Sequence, residues 1–489
     1  MVGQFLVGCI VLIVTRWIYK WISQKKCSAP GPPGLPVLGN ILDLNSKFPF
    51  PQLDKWKNEY GDVYKLNLSL IETVVVHGEA VYDMFVTKGD AIAGRPKYGR
   101  LELMNHGEDI VTRSADDKWK AYRKIAHQGL RQYGCGIPHI EQICMEEVQD
   151  CIQRFDRTGP FNPYDDMYLT VANITLIMMT GERFDKNDPW LERTARIEKI
   201  GAQAFGIDGV YLDMFPWLRH IPHKRGDLFK NILQELQDYL GQLVARSKSS
   251  LDENNVRGMC DVILLEQERR KDTANAINDG TVKGICHNLI FGAIITTTTA
   301  LNSMMAYLLD YPKVQEKLHE EIDRVIGTRL PTLDDRREMP YMEAFILESL
   351  RYMSHIPTVP QETMRDTTLN GHFIPQGTQV WPNLFSLHHD ERFFPDPWTF
   401  KPERFIDTEG KLVPADQRKH LMPFGAGIRV CVGEQMARVR MFIFLTTMLQ
   451  HYTFLPGSPD NLPNYDPRKG IMGAVLKMEE YEVRLQKRI

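Results

Sequence analysis

The stretch that most constrains this chain is Pro423-Phe424-Gly425-Ala426-Gly427-Ile428-Arg429-Val430-Cys431-Val432-Gly433. Glycines crowd around one cysteine, and an apolar, helix-patterned segment (Met436 to Leu449) follows at once. Glycine suits backbone that must turn sharply or approach a flat surface closely. A cysteine at the start of a helix sits in the positive end of the helix dipole, which favours thiolate over thiol. Backbone N–H groups of such a turn can also donate to the sulfur. A thiolate held this way is a ligand for a soft metal centre or a haem iron. The competing reading is a buried structural cysteine beside a turn, which is what most lone cysteines are.

The spacing Phe-x-x-Gly-x-Arg-x-Cys-x-Gly fixes five positions in ten residues and closely resembles the haem-ligand loop of the cytochrome P450 family. The resemblance implies that Cys431 is the axial iron ligand and that Arg429 pairs with a haem propionate. Phe424, Gly427 and Gly433 complete the cofactor-binding loop on the same grounds.

Three further motifs stand in the order this resemblance requires. Trp119 and Arg123 lie four apart on one face of a helix-patterned stretch. The family's W-x-x-x-R has this form, with both side chains reaching a propionate, and arginine can hold a carboxylate bidentately. Glu348 and Arg351 share a helix face at i,i+3; alone they would be a surface pair of little worth. In the family this E-x-x-R is buried and joins the arginine of a later P-E-R-F segment, present here as Pro402-Glu403-Arg404-Phe405. The resemblance makes Glu348, Arg351 and Arg404 a structural network rather than catalytic groups. Between them, Thr358 to Asp366 resembles the strand along the haem edge. Many microsomal relatives carry a histidine after its proline; here it is Gln361, which donates a hydrogen bond but no charge. Gly470 to Val475 is expected to be a last turn dipping into the pocket.

A long helix is expected from an Asn278 or Asp279 cap to Asp310, where Tyr311-Pro312 ends it. At about 30 residues it would span some 45 Å. Its middle, Ile294 to Thr299, is all β-branched, and threonine hydroxyls can bond back to the i−4 carbonyl, so Thr296 targets Gly292. Either this is β-branched filler in a buried helix, or the helix opens locally over an active site. Aligned with the family's oxygen-activating motif, the catalytic alcohol is Thr296, but the neighbouring acid has become Ile295.

The 489-residue chain is 43% hydrophobic and 25% charged, a globular composition, and its net charge of -3 argues against a nucleic-acid partner. Eight cysteines without any C-x-x-C form neither a disulfide framework nor a zinc site, which suits a reducing cytosolic face. Phe5 to Val14 is continuously apolar, and Trp17, Tyr19 and Trp21 interleave with Arg16 and Lys20. Counted through Ile22 it reads as a single uncleaved span, with the positive charge after it placing the bulk of the chain in the cytosol. A cleaved signal peptide is the rival, against which the first four residues carry no Lys or Arg. The expected organisation is an anchor over 1–26, a proline-rich hinge over 27–50 built on Ala29 to Pro36, and a catalytic domain over 51–489. Short strands are expected at Asp62 to Leu68 and Glu72 to His77.

The resemblance covers almost the whole chain and implies a mostly α fold with a small β region. It implies a haem-thiolate monooxygenase of the endoplasmic reticulum membrane, fed by NADPH-cytochrome P450 reductase and cytochrome b5, acting on a lipophilic molecule. Met214-Phe215-Pro216-Trp217-Leu218 resembles a substrate-covering, membrane-facing stretch of animal microsomal xenobiotic and steroid hydroxylases, the steroid 17-alpha-hydroxylase kind included. Lys118, Lys120 and Lys124 form either a solvated helix face or a docking surface for an acidic electron-transfer partner. Two other functions fit the same motifs: a haem-thiolate isomerase or dehydratase working without O₂ or reductase, and a non-catalytic haem or lipophile binder.

Overall fold

The computed structural model describes residues 25–488 apart from 46, 70, 98, 134–137, 186, 205–210, 216–217, 219–220, 222 and 459–464. The expected anchor, Pro216 and Trp217 lie outside the described residues.

Eleven longer helices carry the fold in chain order: α1 (Phe50–Tyr60), α2 (Asp117–Tyr133), α3 (Pro138–Phe155), α4 (Tyr164–Thr180), α5 (Pro189–Ala204), α6 (Lys224–Ser249), α7 (Met259–Arg270), α8 (Asp279–Asp310), α9 (Pro312–Val325), α10 (Pro340–Met353) and α11 (Glu434–His451). Their ends follow local chemistry. Asn278 caps α8, its side chain accepting from Thr281 N, as the sequence implies. Proline opens α9 and α10 at the first turn, where its missing N–H costs nothing. Gly181 ends α4 at φ +76.

The strands are few and short. A four-stranded sheet runs in the order β1 (Val63–Leu68), β2 (Ile71–Val76), β6 (Gln379–Pro382), β3 (Gln361–Glu362). β1 and β2 pair antiparallel with Val63 opposite Val76; β2 and β6 pair parallel; β3 returns antiparallel with Gln361 opposite Val380. Two-stranded pairs join β4 (Thr367–Leu369) to β5 (His372–Ile374), β7 (Tyr452–Pro456) to β10 (Val483–Lys487), and β8 (Ile471–Met472) to β9 (Leu476–Lys477).

α8 is the axis of the molecule. At 32 residues it is long and apolar enough to cross a membrane, yet 72% of its most apolar window is buried against other helices, so it is a core helix. Ile294, Met304, Ala306, Tyr307 and Leu308 on it are wholly buried. The local opening considered for its centre does not occur: α8 is continuous helix through Gly292–Thr299. Packing of its buried face, Ile294 and Thr297 to Thr299, holds the β-branched run helical against its own propensity.

The proline-rich segment is docked on the body rather than spanning free space. Cys27 and Ala29 are buried, Lys65 N donates to Pro30 O at 2.8 Å, and Ser28 N to Phe373 O at 3.0 Å. A stiff composition predicts a spacer; the free edge of β1 and the tip of β5 give it partners instead.

Candidate active site

The cysteine loop lies between the 3₁₀ turn Gly427–Arg429 and the start of α11. Gly427 is obligatory twice over: its φ is +65, and a Cβ there would lie 1.9 Å from the Phe85 carbonyl oxygen. Cys431 N donates to Phe424 O at 2.9 Å and closes the loop. Gly433 is the N-cap of α11, and the Phe424 ring lies under Arg438 at 5.1 Å.

Of the described cysteines, Cys27, Cys144, Cys151, Cys260 and Cys286 are buried and Cys431 is exposed. Its sulfur is open to solvent yet ringed by protein, a recess in which desolvation pushes the thiol pKa up. The Gly433 and Glu434 backbone and the Arg123 charge pull it back only in part. Burial thus opposes the pull of the backbone donors and of the Arg123 charge at this thiol. A cation bound at the sulfur would favour the thiolate.

Beside the cysteine stand three guanidinium groups. Arg429 donates to Ala93 O at 2.6 Å and to Ile110 O at 3.2 Å. Arg123 donates to Val430 O. Arg95 donates to Val111 O at 2.8 Å and to Pro360 O at 3.2 Å. Burial lowers all three, Arg95 to about 10; Arg429 falls to about 8, with the Arg95 and Arg123 charges adding to its burial. Asp109 and Asp116 offset Arg429 in part. Backbone carbonyls satisfy these donors but supply no net charge, so the recess is short of negative charge. A group with a metal for Cys431 and carboxylates for the arginines answers both deficits, and haem is such a group.

The Trp119 indole N–H donates to Ile110 O at 2.9 Å, a backbone acceptor rather than an acid group. Its ring instead lies between Arg429, at 4.5 Å, and Arg123, at 5.5 Å, and positions both. Arg95 was invisible in the sequence, a lone arginine in a loop. Gly94 brings it in: its backbone exchanges hydrogen bonds with Glu362 at 2.9 and 3.1 Å, and a Cβ would stand 2.6 Å from Glu362 O. Gln361 is buried on β3 beside that contact.

α8 presents a partly exposed stripe: Asn288, Phe291, Gly292, Ile295 and Thr296. The spacing i, i+3, i+4, i+7, i+8 is one helix face. Thr296 Oγ1 donates to Gly292 O at 2.7 Å, leaving its lone pairs to accept. Ile295 offers nothing polar. Asn288, not singled out in the sequence, accepts Ile110 N at 2.9 Å and Val111 N at 3.1 Å, tying the arginine-bearing segment to α8. The turn expected from Gly470 to Val475 is the β8–β9 hairpin, fixed by Leu476 N to His355 O at 2.8 Å.

The Glu348–Arg351 pair is wholly buried, bonded at 2.7 and 2.8 Å. Glu348 also accepts from Arg404 Nε at 3.0 Å and from Lys401 N at 2.8 Å. Sequence reasoning missed the link from this network to the cysteine loop, which is His388. Its carbonyl accepts from Arg351 at 2.7 Å, its Nδ1 pairs with Ser354 Oγ at 2.7 Å, and Met422 N donates to its Nε2 at 3.0 Å. That geometry needs the neutral ring protonated on Nδ1, and burial holds its pKa well below the ordinary value.

Along α2 a groove of about 760 Å³ is lined by Trp119, Lys120, Arg123, Lys124, His127 and Arg131. It is a cationic face close to the cysteine loop.

The model of the cytochrome P450 family matches residues 29–485. A cytochrome P450 1A1 of Oryzias latipes is 33% identical over 98% of this chain and 95% of its own. The cytochrome P450 1A1 of Rattus norvegicus is 31% identical over 99% and 95%, and that of Sparus aurata 31% identical over 94% and 91%. These names are not those of steroid 17-alpha-hydroxylases, so that finer likeness gains nothing from them. With its cysteine loop, cationic recess and buried E-x-x-R network in place, the chain belongs to the cytochrome P450 family and is a haem-thiolate monooxygenase.

Proposed function

We propose that the chain inserts one atom of O₂ into a C–H bond of a lipophilic small molecule, steroid-like or otherwise apolar, with electrons from NADPH delivered by a flavoprotein reductase. The observation that carries this reading is the recess of Cys431 and three carboxylate-poor arginines, together with the α8 stripe. Cys431 holds the iron; Arg95, Arg123 and Arg429 hold the propionates, with Gln361 as a neutral donor at the same edge. Phe424, Gly427 and Gly433 shape the loop, and Glu348, Arg351 and Arg404 keep it in place. Haem, once bound, supplies the oxygen-activating redox chemistry, and thiolate ligation favours O–O cleavage. Phe291, Gly292 and Ile295 exclude water from the reacting C–H bond, while Thr296 orders the solvent that remains.

Lys120, Lys124 and Arg131 on the α2 groove suit an acidic partner such as NADPH-cytochrome P450 reductase or cytochrome b5. The anchor over 1–26 places this face in the cytosol on the endoplasmic reticulum membrane. The test is reconstitution of purified protein with reductase and NADPH against a panel of lipophiles, following O₂ uptake and product. Oxygenated product that requires both reductase and O₂ is expected. Undiminished product without either would move the chain to the isomerase or dehydratase class.

A further inference from the structure

Monooxygenation consumes protons: R–H + O₂ + 2e⁻ + 2H⁺ gives R–OH + H₂O. Ile295 stands where a carboxyl would deliver them, so the acid must lie elsewhere or the yield must suffer. Behind the α8 stripe, in the junction of α4, α5 and α8, lies a cluster of polar groups that the site described above does not use.

Glu198, on α5, has Oε2 buried with no hydrogen-bond partner among the described residues. The Tyr168 hydroxyl of α4 is close to it, and it too is buried without a closed hydrogen bond. Tyr164, one turn earlier on α4 and half-buried, lies near enough to feel the Glu198 and Asp165 charges and to approach the Thr299 hydroxyl. Thr299 Oγ1 and Thr298 Oγ1 are buried and unpaired as well. Thr299 follows Thr296 by three residues on α8, so their side chains are neighbours on one face. Hydroxyls and a carboxyl that approach without bonding are the setting in which water bridges. Nearby, Tyr239 of α6 pairs with Thr194 at 2.9 Å and backs the Phe291 ring at 6.1 Å between centroids.

We infer that Glu198 is the relay acid of this chain, passing a proton through the Tyr164 and Thr299 hydroxyls to Thr296 in place of the carboxyl that Ile295 lacks. The inference rests on the monooxygenase reading. Each hydroxyl gives one proton and receives one, so the hydroxyls end unchanged; Glu198 is left as carboxylate and is reprotonated from solvent. Burial raises the Glu198 carboxyl to about 7, with Tyr168 opposing the rise. The groups facing it are the Tyr164 and Tyr168 phenols, with Tyr239 beyond and the α8 threonines beside them. Arg193, on its own helix, is committed to Glu235 at 2.8 Å. Poised near neutrality, Glu198 can both give and regain a proton at cytosolic pH.

The experiment compares wild type with Glu198→Gln, Glu198→Asp and Tyr164→Phe, each haem-loaded. In the resting protein, infrared titration is expected to show a protonated carboxyl that ionises near neutral pH and is missing from Glu198→Gln. With reductase, product per NADPH is expected to fall on the order of tenfold in Glu198→Gln and Tyr164→Phe, the excess NADPH appearing as peroxide, with partial recovery in Glu198→Asp. In wild type the yield declines as pH rises through 7 and the acid empties, a decline that Glu198→Gln does not show. A Glu198→Gln protein with wild-type yield and wild-type pH profile overturns the inference. So does the carboxyl band persisting in that variant. If wild type itself makes product without O₂ or reductase, the monooxygenase reading falls and takes the relay with it.

Discussion

Cys431 and Arg95 have no substitute in their surroundings. The recess offers the iron one exposed sulfur, so Cys431→His is expected to abolish the thiolate-type Soret band of the reduced, carbon-monoxide-bound protein. Difference spectroscopy checks this, and a mutant that kept the band would mean another cysteine is the ligand. Arg95 adds a third positive charge to a pair that family motifs already supply. Charge-assisted hydrogen bonds are worth about 1.5–3 kcal/mol, so Arg95→Ala is expected to speed haem loss by roughly 10- to 100-fold. Transfer of haem to an excess of apo-myoglobin measures it directly. An unchanged rate would leave the cationic recess as packing alone.

At the level of elements, the cysteine loop is held from behind by α10. Glu348 is wholly buried and receives Arg351, Arg404 and Lys401 N, so Glu348→Ala strands the buried Arg351 guanidinium and the largely enclosed one of Arg404. Breaking a buried pair from one side costs about 3–5 kcal/mol. The expected product is apo or misfolded protein, read by haem content and circular dichroism; soluble, haem-loaded enzyme with normal turnover would refute the structural role. The effect should reach the cysteine loop through His388, whose ring accepts from Met422 N. α8 shows the opposite logic. Its threonine run is a poor helix by propensity, yet it stays helical because α4, α10 and α11 bury it.

The whole molecule carries a set of neutral, buried histidines. Burial lowers His77 and His389 to about 3 and His287 and His355 to about 4. Each has its folded pKa below the unfolded value near 6.5, so between the two the unfolded chain binds more protons. Stability is therefore expected to fall steadily as pH drops below about 6.5, before most carboxylates titrate. Thermal unfolding of the haem-loaded protein from pH 8 to 4 tests this, and a flat profile down to pH 4.5 would contradict it. The docked proline-rich segment makes a second prediction at this scale. Removing residues 1–26 is expected to leave a folded, haem-binding body. Extending the deletion through Gly34 should destabilise it, because Cys27, Ser28, Ala29 and Pro30 pack or bond to the sheet region. Equal melting temperatures for both truncations would show those contacts to be idle.

Local chemistry made some of this legible in the sequence. The glycines and cysteine of 423–433 need only their own backbone to define a loop, the W-x-x-x-R and E-x-x-R spacings need only a helix, and Asn278 caps α8 through its own side chain. These are interactions between near neighbours, and periodicity reports them. What the tertiary structure alone decided involves residues far apart in sequence. Arg95 reaches Arg429 only because Gly94 meets Glu362, and His388 joins α10 to the cysteine loop across two turns of chain that share no motif. The spacing sets Trp119 and Arg123 on one helix face, but only the fold wedges the Trp119 ring between Arg123 and Arg429. At Cys431 the helix start is legible in the sequence, while the enclosing walls that oppose the thiolate belong to the fold. Burial is a property of the assembled fold that no local pattern reports: the Glu198 carboxyl of α5 is raised to about 7 by its burial beside Tyr168 of α4.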